Sequence, residues 1–166
     1  MIRAFVSSLF LLLLCALVET ALLSNIMLLP AVPDLLLITV LFVSVYNGSL
    51  LGETAGFCSG LFLDFLSAAP LGLNCLLRTV IGFAAGLFHK SLNVSGFMIP
   101  AVLGFIATVF KALLLYVVSF FFPNGVIAYD LFSAAFVFEL TVNTLLTPAV
   151  FAFLRLFASL CAEKTL

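Results

Sequence analysis

Charged residues are scarce in this sequence, and tryptophan is missing from it. Asp, Glu, Lys and Arg make up 8% of the 166 residues, whereas 66% are hydrophobic and the mean hydropathy is +1.43. Soluble domains contain about a quarter charged residues, so this composition excludes a soluble globular domain. The sequence instead predicts one all-α integral membrane domain over residues 1–166. The formal net charge of −1 gives no indication of a nucleic-acid partner.

The sequence also lacks the residue patterns that support catalysis or metal binding. It has a single histidine, His89, and contains no HExxH, GxSxG or Walker motif. The four cysteines have no CxxC spacing and lie in apolar runs, so we interpret them as small apolar residues. His89 precedes Lys90 in a short loop, which favours a solvated interfacial position. We therefore predict a protein that is not an enzyme and has no catalytic residue, cofactor or metal.

Six apolar stretches separated by short loops predict a six-transmembrane-helix bundle. The predicted spans are at about residues 4–23, 34–46, 50–66, 71–89, 97–122 and 130–157. The second span is short for a bilayer and begins near Asp34, an acid that suits a helix N-terminus. The third and fourth spans are rich in glycine, which favours the interior of the bundle. Glu19 lies near the outer end of the first span, where we expect it to reach the interface.

The basic residues predict how the chain is oriented in the membrane. With six spans, Arg3, Lys90, Arg155 and Lys164 fall on one side, and the loops on the other side contain no Lys or Arg. Basic loops are retained in the cytoplasm. We therefore expect a multi-pass protein with both termini and the 90–96 loop on the cytoplasmic side.

Glycines recur every four positions along the third and fourth predicted helices. The residues of these two stripes are Gly52, Gly56, Gly60, Gly82 and Gly86. Positions four apart lie nearly one above the other on a helix, and glycines at this spacing allow two helices to approach closely. Because the two stripes follow each other in sequence, we expect them to pack together within the chain rather than to form a homodimer.

Four ionisable residues lie inside the predicted spans, beyond easy reach of the interface. Asp64 and Arg78 match in depth across one helical hairpin, and Lys111 and Glu139 match across the next. A charge at the bilayer centre costs about 2.5–3.5 kcal/mol, so we expect two ion pairs, Asp64–Arg78 and Lys111–Glu139. Two interpretations stay open: the pairs only hold helices in register, or they form a site for a ligand, a proton or a partner protein.

A stripe of polar residues lies along the sixth predicted span. Glu139, Asn143 and Thr147 are spaced by four and precede a proline, Pro148. The stripe indicates either hydrogen bonding between helices of the bundle or the wall of a polar cavity or partner contact. Together with Asp64 and Arg78, these residues are our candidates for a partner or pocket surface, in a polar cleft between the third and sixth helices.

Several segments, taken in order, resemble the bacterial rod shape-determining MreD family. They are PDLL at 33–36, GFCSGLFLD at 56–64, SAAPLG at 67–72 and VNTLLTP at 142–148. The last helix ends in Arg155, and the chain length, six spans and cytoplasmic termini are also similar to that family. Arg78 and Lys111 depart from the family pattern.

The resemblance implies a non-enzymatic inner-membrane component of the bacterial cell-elongation complex. Such a protein would support cell shape and peptidoglycan synthesis by scaffolding partners in the lipid bilayer. It would associate with an MreC-like protein, and through it with the RodA–class B penicillin-binding protein synthase and with MreB filaments. The family is also similar to the substrate-binding membrane subunits of energy-coupling-factor transporters. A vitamin-binding subunit of such a transporter is therefore the alternative.

Overall fold

Six helices, and no strand, form the part of the chain that the computed structural model describes. The described residues are 2–21, 31–67, 70–94, 96–123, 126 and 133–156, with side chains in the first helix from Val6 onward. The helices are α1 (Ile2–Ala21), α2 (Leu35–Asn47), α3 (Ser49–Leu66), α4 (Leu73–Gly86), α5 (Met98–Phe121) and α6 (Ala134–Leu156). All six predicted helices are confirmed, with bounds that differ by a few residues. The side chain of Arg3 and residues Cys161 and Lys164 lie outside the described part.

Two of these helices are long and apolar enough to cross a membrane. They are α5, with 24 residues, and α6, with 23 residues. By contrast, α2 has 13 residues, which corresponds to about 20 Å at 1.5 Å per residue, against a hydrocarbon core of about 30 Å. The described part of the chain is all-helical, and two of its helices have the length and composition of membrane spans.

The short helix α2 occupies the centre of the bundle. It contacts each of the other five helices, and every residue from Leu36 to Val45 is buried. A helix that is apolar on all sides has no face to present to water and packs inside. The expectation that the glycine-rich helices α3 and α4 are interior is wrong, because both expose large side chains such as Phe57 and Phe83.

Helices α3 and α4 form the closest helix pair, and their glycines face each other. A Cβ added to Gly56 would meet the Arg78 carbonyl, and one added to Gly60 would meet the backbone of Cys75. Gly52 and Gly82 face one another in the same way. The predicted intrachain packing of the two stripes, including Gly86 against Ser49, is therefore present.

One end of the bundle collects basic side chains. His89 Nδ1 donates to the carbonyl of Val45 near the end of α2, at 2.7 Å, and is half-buried rather than fully solvated. Arg155 Nη2 donates to the carbonyl of Val94, at 2.6 Å, and so joins α6 to the loop that contains Lys90. Lys90 and Arg155 therefore lie at the same end, as the predicted orientation requires.

Candidate functional site: a buried ion network at the start of α2

Asp34 stands immediately before α2 and is its N-cap. Its Oδ1 accepts a hydrogen bond from the Leu37 amide at 2.8 Å. An N-cap carboxylate satisfies an amide that has no partner within its own helix, and its charge is favourable at the helix N-terminus. Asp34 is only 3% exposed, so a buried carboxylate stands at the middle of the helix bundle.

Two cations from different helices bind the two oxygens of this carboxylate. Arg78 Nη2, from α4, donates to Asp34 Oδ1 at 2.7 Å. Lys111 Nζ, from α5, donates to Asp34 Oδ2 at 2.7 Å. Charge-assisted hydrogen bonds of this length are the strong ones, so Asp34 joins α2 to both α4 and α5.

Two further carboxylates surround the same cations. Glu139 Oε1, on α6, accepts from Lys111 Nζ at 2.8 Å, and the predicted Lys111–Glu139 pair is therefore present. Glu19 Oε1, on α1, lies 4.0 Å from Arg78 Nη2, while its Oε2 accepts from the Leu36 amide at 2.9 Å. The expectation that Glu19 reaches the interface is wrong: it is 7% exposed because it turns inward to the N-terminus of α2.

Neutral polar groups extend the network along α5 and α6. Asn143 Oδ1 accepts from the Asp34 amide at 3.0 Å, and Asn143 Nδ2 donates to Thr108 Oγ1 at 3.2 Å. Thr147 Oγ1 donates to the Asn143 carbonyl at 2.5 Å, and Thr147 also faces Gly104 across the α5–α6 contact. The polar stripe of α6 therefore binds neighbouring helices.

The predicted ion pair between Asp64 and Arg78 is wrong. Asp64 Oδ2 accepts from the amides of Gly72 and Cys75 at 2.9 and 3.2 Å. Its Oδ1 accepts from the amide and the side chain of Asn74 at 3.1 and 2.9 Å. The first turn of α4 has amides without intrahelical partners, and a carboxylate at the end of α3 is close enough to bind them. Asp64 is thus the cap of α4.

The predicted polar cleft between the third and sixth helices is also wrong. Helix α6 packs on α2 and α5, whereas α3 packs on α1, α2 and α4. Asn143 and Thr147 have no exposed surface, and Pro148 is buried. Asp64 and the polar stripe therefore belong to separate places in the fold. Of the predicted residues, Arg78, Lys111, Glu139, Asn143 and Thr147 meet in one network.

The network holds five of the helices together through buried charges. Three carboxylates face two cations, and they come from α1, the start of α2, α4, α5 and α6. Within the network, Arg78 Nη1 has no hydrogen-bond partner. Among the described residues, no group of three or more His, Cys, Asp or Glu residues could hold a metal ion. Removal of one partner of a buried ion pair lowers the stability of a protein by about 3–5 kcal/mol. Loss of any one charge of the network should therefore destabilise the packing of the helices.

Sequence reasoning missed Asp34 and Glu19 as members of the network. From the sequence, both residues are expected at helix ends, Asp34 as a favourable N-terminal acid and Glu19 as an interfacial one. The ion pairs were predicted from equal depth in the membrane, which compares only consecutive helices. Asp34 is 44 residues from Arg78 and 77 from Lys111 in the sequence, so this comparison does not reach it. The available indication was that Asp34 and Glu19 are the two acids in the apolar segments that precede α2 in the sequence.

The comparison with protein families identifies the family of this chain. The sequence matches the family described as rod shape-determining protein MreD over residues 1–157. The chain belongs to the MreD family. Neither a curated protein nor a solved structure matches it. As a member of this family, the chain is a rod-shape-determining component of the inner membrane. The family consists of structural proteins and is not a known enzyme family.

Proposed function

We propose that this MreD-family protein is a multi-pass scaffold of the cell-elongation complex, with six crossings and both termini in the cytoplasm. It binds an MreC-like protein, and through it the RodA–class B penicillin-binding protein synthase and MreB filaments. The family match over residues 1–157 supports this proposal most directly. The protein itself performs no reaction and supports peptidoglycan synthesis by keeping its partners together.

The buried ion network suits a scaffold because it fixes the relative positions of the helices. Asp34 is hydrogen-bonded to α4 through Arg78 and to α5 through Lys111. Its amide is bound by Asn143 of α6. A partner surface built on several helices is useful only if those helices keep one arrangement. We infer that Arg78, Glu139, Asn143, Thr147 and Pro148 support the partner surface from behind rather than contact the partner.

The partner surface itself lies on exposed apolar side chains. Helix α5 exposes Phe105, Val109 and Leu113, and α6 exposes Val137 and Phe153. In a bilayer such side chains contact either lipid tails or another transmembrane helix, and shape complementarity distinguishes the two. Substitutions on these faces should therefore weaken partner binding without unfolding the bundle.

Affinity purification from native membranes tests the scaffold. A tagged copy of the full chain is expected to recover the MreC-like protein, with RodA and the class B penicillin-binding protein in smaller amounts. A Leu113→Arg variant and the buried control Thr108→Ser are compared at equal membrane levels. Failure of the unaltered chain to recover the MreC-like protein would refute the proposal.

One observation weighs against the transporter alternative. A substrate-binding subunit needs a small-residue surface for its coupling partner, and the stripe of Gly52, Gly56 and Gly60 is the sequence feature that could supply it. In the structure these glycines are covered by α4. Recovery of coupling ATPases in the same purification would nevertheless favour the transporter subunit.

A further inference from the structure

An apolar groove runs between α4 and α5. Its inner part, about 190 Å³, lies over Leu41 and is bounded by Ala84 and Phe110. Its outer part, about 330 Å³, extends to Leu92 and Met98. The two parts are one groove because Phe88, Leu103 and Ile106 line both.

The groove ends at a polar cavity with basic residues. This cavity, about 260 Å³, is lined by His89, Lys90 and Asn93 among others, and Leu92 lines both it and the groove. No acidic residue is among the described residues that line it. Arg155 adds a positive charge behind the cavity wall through its hydrogen bond to Val94. The Lys90 side chain is exposed and makes no ion pair with any described residue.

We propose that this groove binds an anionic phospholipid, with one acyl chain between α4 and α5 and the phosphate at Lys90. The walls of the groove are apolar along its length, which fits a hydrocarbon chain. The mouth is cationic, and basic residues next to a bilayer attract anionic headgroups. Apolar walls and a cationic mouth together match an amphiphile with a tail and a negative head. The proposal requires insertion in a membrane and is independent of the partners in the elongation complex.

The headgroup part of the proposal is tested with Lys90→Gln. The purified full chain in neutral detergent is titrated with phosphatidylglycerol or phosphatidylcholine, and bound lipid is counted by native mass spectrometry. One basic residue near an anionic surface contributes about 1 kcal/mol, so we expect phosphatidylglycerol affinity to fall about fivefold. The matched control Lys90→Arg keeps the positive charge at the mouth and should retain the preference for phosphatidylglycerol. Retention of the full preference for phosphatidylglycerol by Lys90→Gln would overturn the proposal.

The acyl-chain part is tested with a variant that fills the groove. Ala84→Phe places a ring in the inner part, whereas Val117→Phe adds a ring on an exposed part of α5 outside the groove. Binding of phosphatidylglycerol should be lost in Ala84→Phe and retained in Val117→Phe. Equal binding by the two variants would show that the groove is not the lipid site. Lys90→Gln changes an exposed side chain, so the headgroup test does not depend on the folding of the filled variant.

Discussion

Asp34 combines two roles that usually belong to different residues. As an N-cap it stabilises the first turn of α2, and as a counter-ion it neutralises Arg78 and Lys111. The charge that favours the helix N-terminus is therefore the same charge that makes two buried cations tolerable. Among the other described carboxylates, the one near Arg78 is Glu19, at 4.0 Å, whereas Lys111 also binds Glu139 at 2.8 Å. Removal of Asp34 should therefore affect the bundle more than removal of any other acid.

We expect Asp34→Asn to destabilise the protein by about 3–5 kcal/mol, because it removes one partner of buried charge pairs. The measurement is thermal unfolding of the detergent-solubilised chain. The control is Glu53→Gln on α3, since Glu53 is half-buried and forms no ion pair with a described residue. A midpoint for Asp34→Asn equal to that of the control would contradict the central position of Asp34.

The different partners of Asp64 and Arg78 give a second test. Asp64→Asn should cost about 1 kcal/mol, the usual value of a helix cap, whereas Arg78→Gln should cost more because Asp34 loses a cation. The exchange Asp64→Arg with Arg78→Asp should be at least as unstable as the worse single variant. In that exchange the α4 amides would face a cation, and Asp34 would face another acid. Recovery of stability in the exchange, measured by the same unfolding assay, would restore the ion pair that the structure rejects.

At the scale of helices, the sequence predicts what is local and misses what depends on packing. The six helices follow from apolar length, and the Lys111–Glu139 pair follows from equal depth on consecutive helices. The insertion of α2 between α4, α5 and α6 is not encoded in neighbouring residues, so Asp34 could not be assigned as the centre. The Asp64–Arg78 prediction failed for a related reason: the free amides of α4 are nearer partners for Asp64 than Arg78 is.

The α3–α4 contact should not tolerate even one methyl group at its tightest position. A Cβ at Gly56 would meet the backbone carbonyl of Arg78, which cannot rotate away. We expect Gly56→Ala to cost about 1–3 kcal/mol through overpacking and to displace the helix that positions the Arg78 guanidinium. Gly96→Ala is the control, because no described atom lies within 4 Å of an added Cβ there. Unfolding temperatures in detergent that are equal for both variants would show that the helices can separate at no cost.

At the scale of the whole molecule, the topology in the membrane is the first property to test. Six crossings place residue 92 and the C-terminus in the cytoplasm and residue 124 outside it. Alkaline phosphatase fused after residue 124 should be active, and fusions after residue 92 or residue 166 should be inactive, because the enzyme requires export. Green fluorescent protein at the same positions serves as the reciprocal control. Active phosphatase at the C-terminus would contradict the proposed orientation.

The function is tested most directly by depletion of this protein in its native bacterium, with cell shape scored by microscopy. We expect rods to widen and become round as the protein is lost. A plasmid copy of the unaltered chain should restore rods, and a copy with Asp34→Asn at equal membrane level should restore them poorly. Cells that keep their rod shape after complete depletion, with growth rescued by a single added vitamin, would contradict the scaffold and favour the transporter subunit.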